Sequence, residues 1–292
     1  MKIVEVGPRD GLQNEDRALD AATRVRYIEL ILASGIDRVE AVSFARPDRV
    51  PQMAYAEEVM AAVPRPDGVR YSGLVMNPKG IERAIASSID EANIVIVATD
   101  EFSRRNQGTT VRESLDRLPA MIDALGAAGI PTTVTIGAAF GCPFEGEVPV
   151  DRIGMIAAEI AALPIAELSL ADTIGVGVPG DVRARVARVQ SETDLPLRLH
   201  LHNTRNTGYA NAVAGIEAGV QTLDASTGGI GGCPFAPAAT GNIATEDLLY
   251  LAERSGWNPT VDRDRVIEAT QFITQQLGVR PEALLGRAGG FP

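Results

Sequence analysis

The sequence predicts a single α/β domain folded as a (β/α)8 barrel. Eight short runs rich in β-branched and apolar residues alternate with longer stretches of helical period, several of them ending at glycine, as parallel strands joined by crossover helices require. The length of 292 residues suits one such barrel with a short extension, since these folds take about 250 residues. A doubly wound sheet would carry a glycine-rich dinucleotide fingerprint after its first strand, and none is present.

Taken in order, strands are expected at 3–6 (IVEV), 38–43 (RVEAVS), 69–75 (VRYSGLV), 92–99 (ANIVIVAT), 132–139 (TTVTIGAA), 167–172 (ELSLAD), 197–203 (LRLHLHN) and 221–227 (QTLDAST). Helical period fills the intervals, clearest at 21–35, 111–129, 150–164 and 207–219. The residues after about 257 lie beyond the eighth unit and read as one or two accessory helices on the barrel. No linker, low-complexity tract or short repeat interrupts 1–292, so one catalytic domain is expected. Catalytic groups of such barrels gather at the C-terminal ends of the strands. Asp10, Glu40, Asp172, His200 and His202 all fall there.

Composition bounds the function. The net charge is −11 and the sequence pI about 4.8, which argues against nucleic acid, because binding phosphates without regard to sequence needs a basic face. No apolar stretch is long enough to span a membrane. The opening MKIVEV reads as a strand and not a signal peptide, and with two cysteines a reducing cytoplasm is the expected compartment. A homo-oligomer, dimer or larger, is expected. An anionic substrate would be repelled by the whole and has to be met by local arginines.

The two histidines of the chain, His200 and His202, sit two apart in a predicted strand. Side chains at i and i+2 share a face, so both imidazoles aim at one spot, as two ligands of one metal must; a hydrogen-bonded structural pair is the plainer alternative. Arg9-Asp10-Gly11 follows the first strand. It is either a solvated turn or, opposite the histidines, an oxygen ligand beside a cationic donor. Asn242 offers an amide oxygen to the same cation if Thr245 caps the last barrel helix. Two imidazoles and two oxygens suit a catalytic Mg, Mn or Zn ion. GCPF occurs twice, at 141–144 and 232–235. Cys142 reads as a packed thiol, whereas Cys233 ends a glycine-dense loop that can close over a site or cradle a phosphate.

Together these residues resemble the hydroxymethylglutaryl-CoA lyase family of metal-dependent barrels. The likeness is carried by VEVGPRDGLQNE at 4–15, VEAVSF at 39–44, VPQM at 50–53, GCPFEG at 141–146, SLADTIGVGVPG at 169–180, HLH at 200–202 and GGIGGCPFAPAATGNIATEDL at 228–248. The resemblance implies that Asp10, His200, His202 and Asn242 bind the divalent cation and that Arg9 neutralises the enolate or the substrate carbonyl. It also implies that Cys233 belongs to a mobile catalytic loop, while Glu40 and Asp172 support proton transfer and substrate orientation. The implied partner is an acyl-CoA, whose phosphates Arg104 and Arg105 are placed to meet unless they form a surface charge pair. The implied reaction splits 3-hydroxy-3-methylglutaryl-CoA into acetyl-CoA and acetoacetate. One stretch departs from the family: HDTYGQALAN becomes HNTRNTGYAN, with Asn203, Arg205, Asn206 and Thr207 replacing Asp, Tyr, Gly and Gln. This keeps open a related branched 3-hydroxyacyl-CoA, favoured by Arg205. A barrel that binds an acyl-CoA without turning it over is the remaining alternative.

Overall fold

The computed structural model describes residues 1–232, 241–257 and 259–291. Its eight parallel strands are β1 (Lys2–Glu5), β2 (Arg38–Ser43), β3 (Arg70–Val75), β4 (Glu91–Val97), β5 (Thr132–Gly137), β6 (Glu167–Asp172), β7 (Leu197–Leu201) and β8 (Thr222–Ala225). They pair in chain order and β8 returns to β1, so the sheet is a closed barrel. Each expected strand is found. The eighth is shorter than expected because Thr227–Gly229 leaves the sheet as a tight turn.

Around the barrel lie α1 (Ala21–Ala33), α2 (Ala56–Ala62), α3 (Pro78–Ala86), α4 (Asp100–Gln107), α5 (Val111–Ala127), α6 (Val150–Ala161), α7 (Pro179–Gln190), α8 (Gly208–Glu217) and α9 (Thr245–Arg254). The expected accessory segment is α10 (Arg263–Leu277) with the short α11 (Leu285–Ala288). Local chemistry sets several of these ends. Asp20 caps α1 by accepting from the Thr23 amide, and Thr110 and Glu113 form a reciprocal capping box on α5. Helix α10 starts at Asp262 and stops at Gly278 in the left-handed conformation. None of the described helices is long and apolar enough to cross a membrane.

A strand in a closed barrel covered by helices has two buried faces, and here they differ in chemistry. Along β7, Leu197, Leu199 and Leu201 are buried with Leu199 packed at Gly215 of α8, whereas Arg198 and His200 point to the axis. The apolar core is therefore a sleeve between sheet and helices, and the axis is polar. At its N-terminal end Arg38 donates to Glu91 at 2.7 Å and to Glu167 at 2.7 Å, and Thr222 donates to Glu167 at 2.9 Å. Above this layer Arg198 pairs with Asp224.

Strand β2 carries a bulge where its register against β3 slips between Glu40 and Val42. Such an extra residue re-aims the side chains beside it and exposes a carbonyl that needs a donor. Arg24 of α1 supplies it. Fully buried, it donates to Ala41 O at 3.2 Å and to Ala54 O at 2.7 Å, and burial pushes its pKa down to about 10. Replacing it by the similarly long Met leaves both carbonyls unpaired, so Arg24→Met is expected to cost about 2 kcal/mol. A melting temperature within a degree of the parent's would show that the bulge holds without it.

Candidate active site and metal centre

The Arg9-Asp10 segment forms a π-helical turn, Gly7–Gly11, at the top of β1. It does not lie in solvent: Arg9 is 7% exposed. His200 ends the inward row of β7, and His202, just past that strand, bridges to Asn242 through the backbone. These elements bring Asp10, His200 and His202 together, with a ligand atom of each within 4.8 Å of the others. The two Nε2 atoms are 3.1 Å apart, and His200 Nε2 is 3.6 Å from Asp10 Oδ2. Asn242 Nδ2 donates to Asp10 Oδ2 at 3.0 Å and to Ile230 O at 3.2 Å.

The pairing around this cluster fixes its protonation. Asp224 Oδ2 lies 3.0 Å from His200 Nδ1, and a carboxylate only accepts, so Nδ1 carries a proton and Nε2 is the nitrogen that faces the cluster. Burial works against the charge on His200, but Asp10 and Asp224 outweigh it and raise the pKa. His202 goes the other way: burial and the adjacent His200 push it down to about 4, leaving a neutral ring. Burial also opposes ionisation of Asp10, yet Arg9, the two imidazoles and the Asn242 amide hold its carboxyl well below the usual range. Asp224 stays low for the same reason, through Arg198 and His200.

Whether these residues fit a divalent cation is tested by what they leave unsatisfied. Adjacent ligands on one ion at about 2.1 Å lie about 3 Å apart, the spacing of the two Nε2 atoms. Asn242 Oδ1 is buried with no hydrogen-bond partner among the described residues, and so is His202 Nδ1. A carboxylate and two imidazole nitrogens within 4.8 Å of one another fit a cation, and Asn242, bonded to that carboxylate through Nδ2, keeps a buried amide oxygen without a partner among the described residues. The carboxylate behind His200 is the support such a ligand usually has.

Arg9 is the second feature. Its Nη1 donates to Asp10 Oδ1 at 2.7 Å and its Nε to Glu40 Oε2 at 2.7 Å, so the guanidinium is strung between the cluster and β2. Glu40 is fully buried, and its other oxygen accepts from Asn93 Nδ2 at 2.9 Å. Arg9, Asp10, His200, His202, Asp224 and Gly232 line one side of an open cleft of about 150 Å³. Leu74, Met76, Val95 and Phe102 give it an apolar wall, while Asn93, Thr135 and Thr173 are polar.

Other expected residues are placed differently. Asp172 has the opposite parity to Ala171, which lines the cleft, so its carboxylate turns to the β6–α7 loop and accepts from the Val176 and Gly177 amides at 2.9 Å each. Burial raises its pKa against those two donors. Arg205 does not line the cleft either; it donates to Ile174 O at 2.9 Å and to Gly175 O at 3.0 Å. Thr245 is not the cap of α9, which falls at Ala244; its hydroxyl instead donates to the buried Glu5 at 2.6 Å. Arg104 and Arg105 are exposed on α4, paired with Asp100 and Glu101, and Arg105 also stacks over Phe144. The Cys142 thiol is buried and accepts from Thr99 Oγ1 at 3.0 Å, while Cys233 lies outside the described residues.

The glycine-dense loop is described as far as Gly232. Gly231 has φ of +105°, and a Cβ there would lie 2.8 Å from Gly11 Cα and 2.9 Å from Asn242 Nδ2. Backbone thus packs directly on the cluster, where a side chain would be excluded. Asp224 and Arg198 were not singled out by sequence reasoning. Their signal was present: each is a lone charged residue on the inward parity of a buried strand.

Comparison with known proteins gives the family. The HMGL-like family model matches residues 1–273. The (R)-citramalyl-CoA lyase of Chloroflexus aurantiacus is 42% identical over 298 residues, covering 98% of this chain and 94% of that one. The crystal structure of hydroxymethylglutaryl-CoA lyase from Pseudomonas aeruginosa superposes with a TM-score of 0.95 at 36% identity, covering 98% of this chain and 96% of that one. An HMG-CoA lyase from Acinetobacter baumannii, solved with coenzyme A and 3-methylmalate, gives 0.94 at 35% identity over 99% and 95%. The chain belongs to the HMGL-like family and is a carbon–carbon lyase.

Proposed function

We propose that this lyase cleaves the C2–C3 bond of a short branched 3-hydroxyacyl-CoA, releasing acetyl-CoA, with 3-hydroxy-3-methylglutaryl-CoA as its substrate and acetoacetate as the second product. The observation that carries the reading is the buried Arg9 guanidinium beside the Asp10–His200–His202 cluster at the mouth of one cleft. A barrel that only bound an acyl-CoA would have no need of that cation. A second reading is favoured by the 42% identical citramalyl-CoA lyase. Its substrate carries the carboxylate directly on the hydroxyl-bearing carbon and would yield pyruvate.

Asp10, His200, His202 and Asn242 would hold the divalent cation, which supplies Lewis acidity toward substrate oxygens. In the cleavage the C3 hydroxyl gives its proton to a general base in the cleft, the C2–C3 electron pair passes to the thioester, C3 becomes a ketone and C2 is protonated to give acetyl-CoA. Arg9 meets the negative charge that grows on the thioester oxygen. Glu40 holds Arg9 in place, and Asp172 sets the loop that carries Thr173 to the cleft. Cys233 is our candidate for delivering the proton to C2. Arg104 and Arg105 are candidates for the CoA phosphates, because surface pairs such as theirs are weak enough to exchange.

Three outcomes are expected. A panel of 3-hydroxyacyl-CoA thioesters, assayed for acetyl-CoA and for acetoacetate against pyruvate, should yield acetoacetate from 3-hydroxy-3-methylglutaryl-CoA; pyruvate alone would transfer the proposal to citramalyl-CoA. Chelation should abolish turnover and Mg, Mn or Zn restore it, while Asp224→Asn should weaken metal binding about 10- to 100-fold by calorimetry, and His202→Ala still more. Undiminished activity in a metal-free sample would end the metal assignment. Cys233→Ala should cut turnover by orders of magnitude at unchanged metal content, with Cys142→Ala near the parent. Equal effects would remove the thiol from the chemistry.

A further inference from the structure

A chain of hydrogen bonds crosses the cleft and ends on Arg9. Thr135 Oγ1 of β5 donates to Asn93 Oδ1 of β4 at 2.9 Å, Asn93 Nδ2 donates to Glu40 Oε1 of β2 at 2.9 Å, and Glu40 Oε2 accepts from Arg9 Nε at 2.7 Å. Asn93 and Glu40 therefore meet across the barrel interior, past β3, which pairs with both their strands. All four side chains are buried, and three of them line the cleft.

The direction of the chain follows from donor chemistry. Ionised Glu40 only accepts, so the amide nitrogen of Asn93 has to face it, leaving the amide oxygen to receive the Thr135 hydroxyl proton. Glu40 thus selects one of the two amide orientations, and the Thr135 hydroxyl, able to donate or accept, pins it by donating to the amide oxygen. Were the amide reversed, two oxygens would face each other across a contact that cannot be solvated.

Glu40 has a partner on each oxygen, Asn93 Nδ2 on Oε1 and Arg9 Nε on Oε2, so turning the carboxylate away from Arg9 would also break the Asn93 bond. In a buried site neither lost bond is replaced by water.

We propose that Asn93, held by Thr135, is a positioning residue of the reaction: it fixes the Glu40 carboxylate and thereby the Arg9 guanidinium where charge develops. This rests on the reading of Arg9 as the group that meets that charge. The residue touches no reacting atom in this account. Its effect passes through two hydrogen bonds.

The test compares Asn93→Leu, Thr135→Val and Thr135→Ser with Arg9→Met and with the Asn93→Leu/Arg9→Met double variant, all loaded with the same divalent metal and matched for metal content and melting temperature. With the thioester that the parent turns over fastest, Asn93→Leu is expected to lower kcat about 100-fold, as a misplacement of about 1 Å in a catalytic group does, with KM little changed. Thr135→Val should lose less, and Thr135→Ser, which keeps the donor, should recover that loss. In the Arg9→Met background Asn93→Leu should add nothing, because the two act through one group. A multiplicative double variant, or a kcat for Asn93→Leu within twofold of the parent while Arg9→Met collapses, overturns this inference alone. If Arg9→Met itself stays within twofold, the role of Arg9 fails instead. An arm independent of turnover follows the Arg9 Nε–H proton by NMR, assigned by its loss in Arg9→Met. It should be slowly exchanging in the parent and lost or shifted in Asn93→Leu, and an unchanged signal overturns the proposal.

Discussion

Charge inside a closed barrel has no access to bulk water, and the axis of this protein carries a great deal of it. Removing an ion from water is costly unless it is paired and hydrogen-bonded, so every charged side chain added to the interior has to bring or find its complement. The ladder from Glu91 through Arg38, Glu167 and Arg198 to Asp224 meets that demand rung by rung. Its last rung reaches His200. The orientation of a candidate metal ligand is thus inherited from ion pairs at the far end of the barrel, and the site is as rigid as the sheet that holds those pairs in register.

This constraint also explains what could be read in the chain beforehand. The strands, the accessory helices and the His200–His202 pair are local patterns, and a period of two suffices to place both rings on one face. The same period, applied to LSLAD, puts Asp172 with Leu168 and Leu170 and away from Ala171; its turn toward the loop was therefore legible although position at a strand end pointed elsewhere. The partners are another matter. Asp224 serves His200 from a neighbouring strand, Asn93 serves Glu40 from two strands away, and the Thr245 hydroxyl serves Glu5 from 240 positions further along the chain. A pairing across the barrel leaves no trace in the spacing of either member. Thr245 departs from its expected capping role for this reason: nothing local in the sequence reveals that a buried carboxylate claims its hydroxyl ahead of the helix terminus.

The stretch HNTRNTGYAN at 202–211 acts on loops. Asn203 Oδ1 accepts from the Gly208 amide at the start of α8, and Arg205 fastens the carbonyls of Ile174 and Gly175. The β7–α8 connection is thereby tied to the β6–α7 connection, the same one that Asp172 grips from beneath. Two neighbouring loops of the barrel mouth become one unit. Their sequence bears on the cleft through where that unit sits, since Thr173 is the member of it that lines the wall.

The amide of Asn242 joins two things usually treated apart. One hydrogen bond runs to Asp10, in the ligand cluster, and the other to the carbonyl of Ile230, inside the loop that leads toward Cys233. Thermodynamic linkage would make such a shared group reciprocal: an ion bound as proposed, by drawing on Asp10 and Asn242, would alter the anchoring of Ile230, and a shift of Ile230 would change affinity for that ion by the same factor. Occupancy of the proposed centre and the position of Ile230 would then be two readings of one equilibrium.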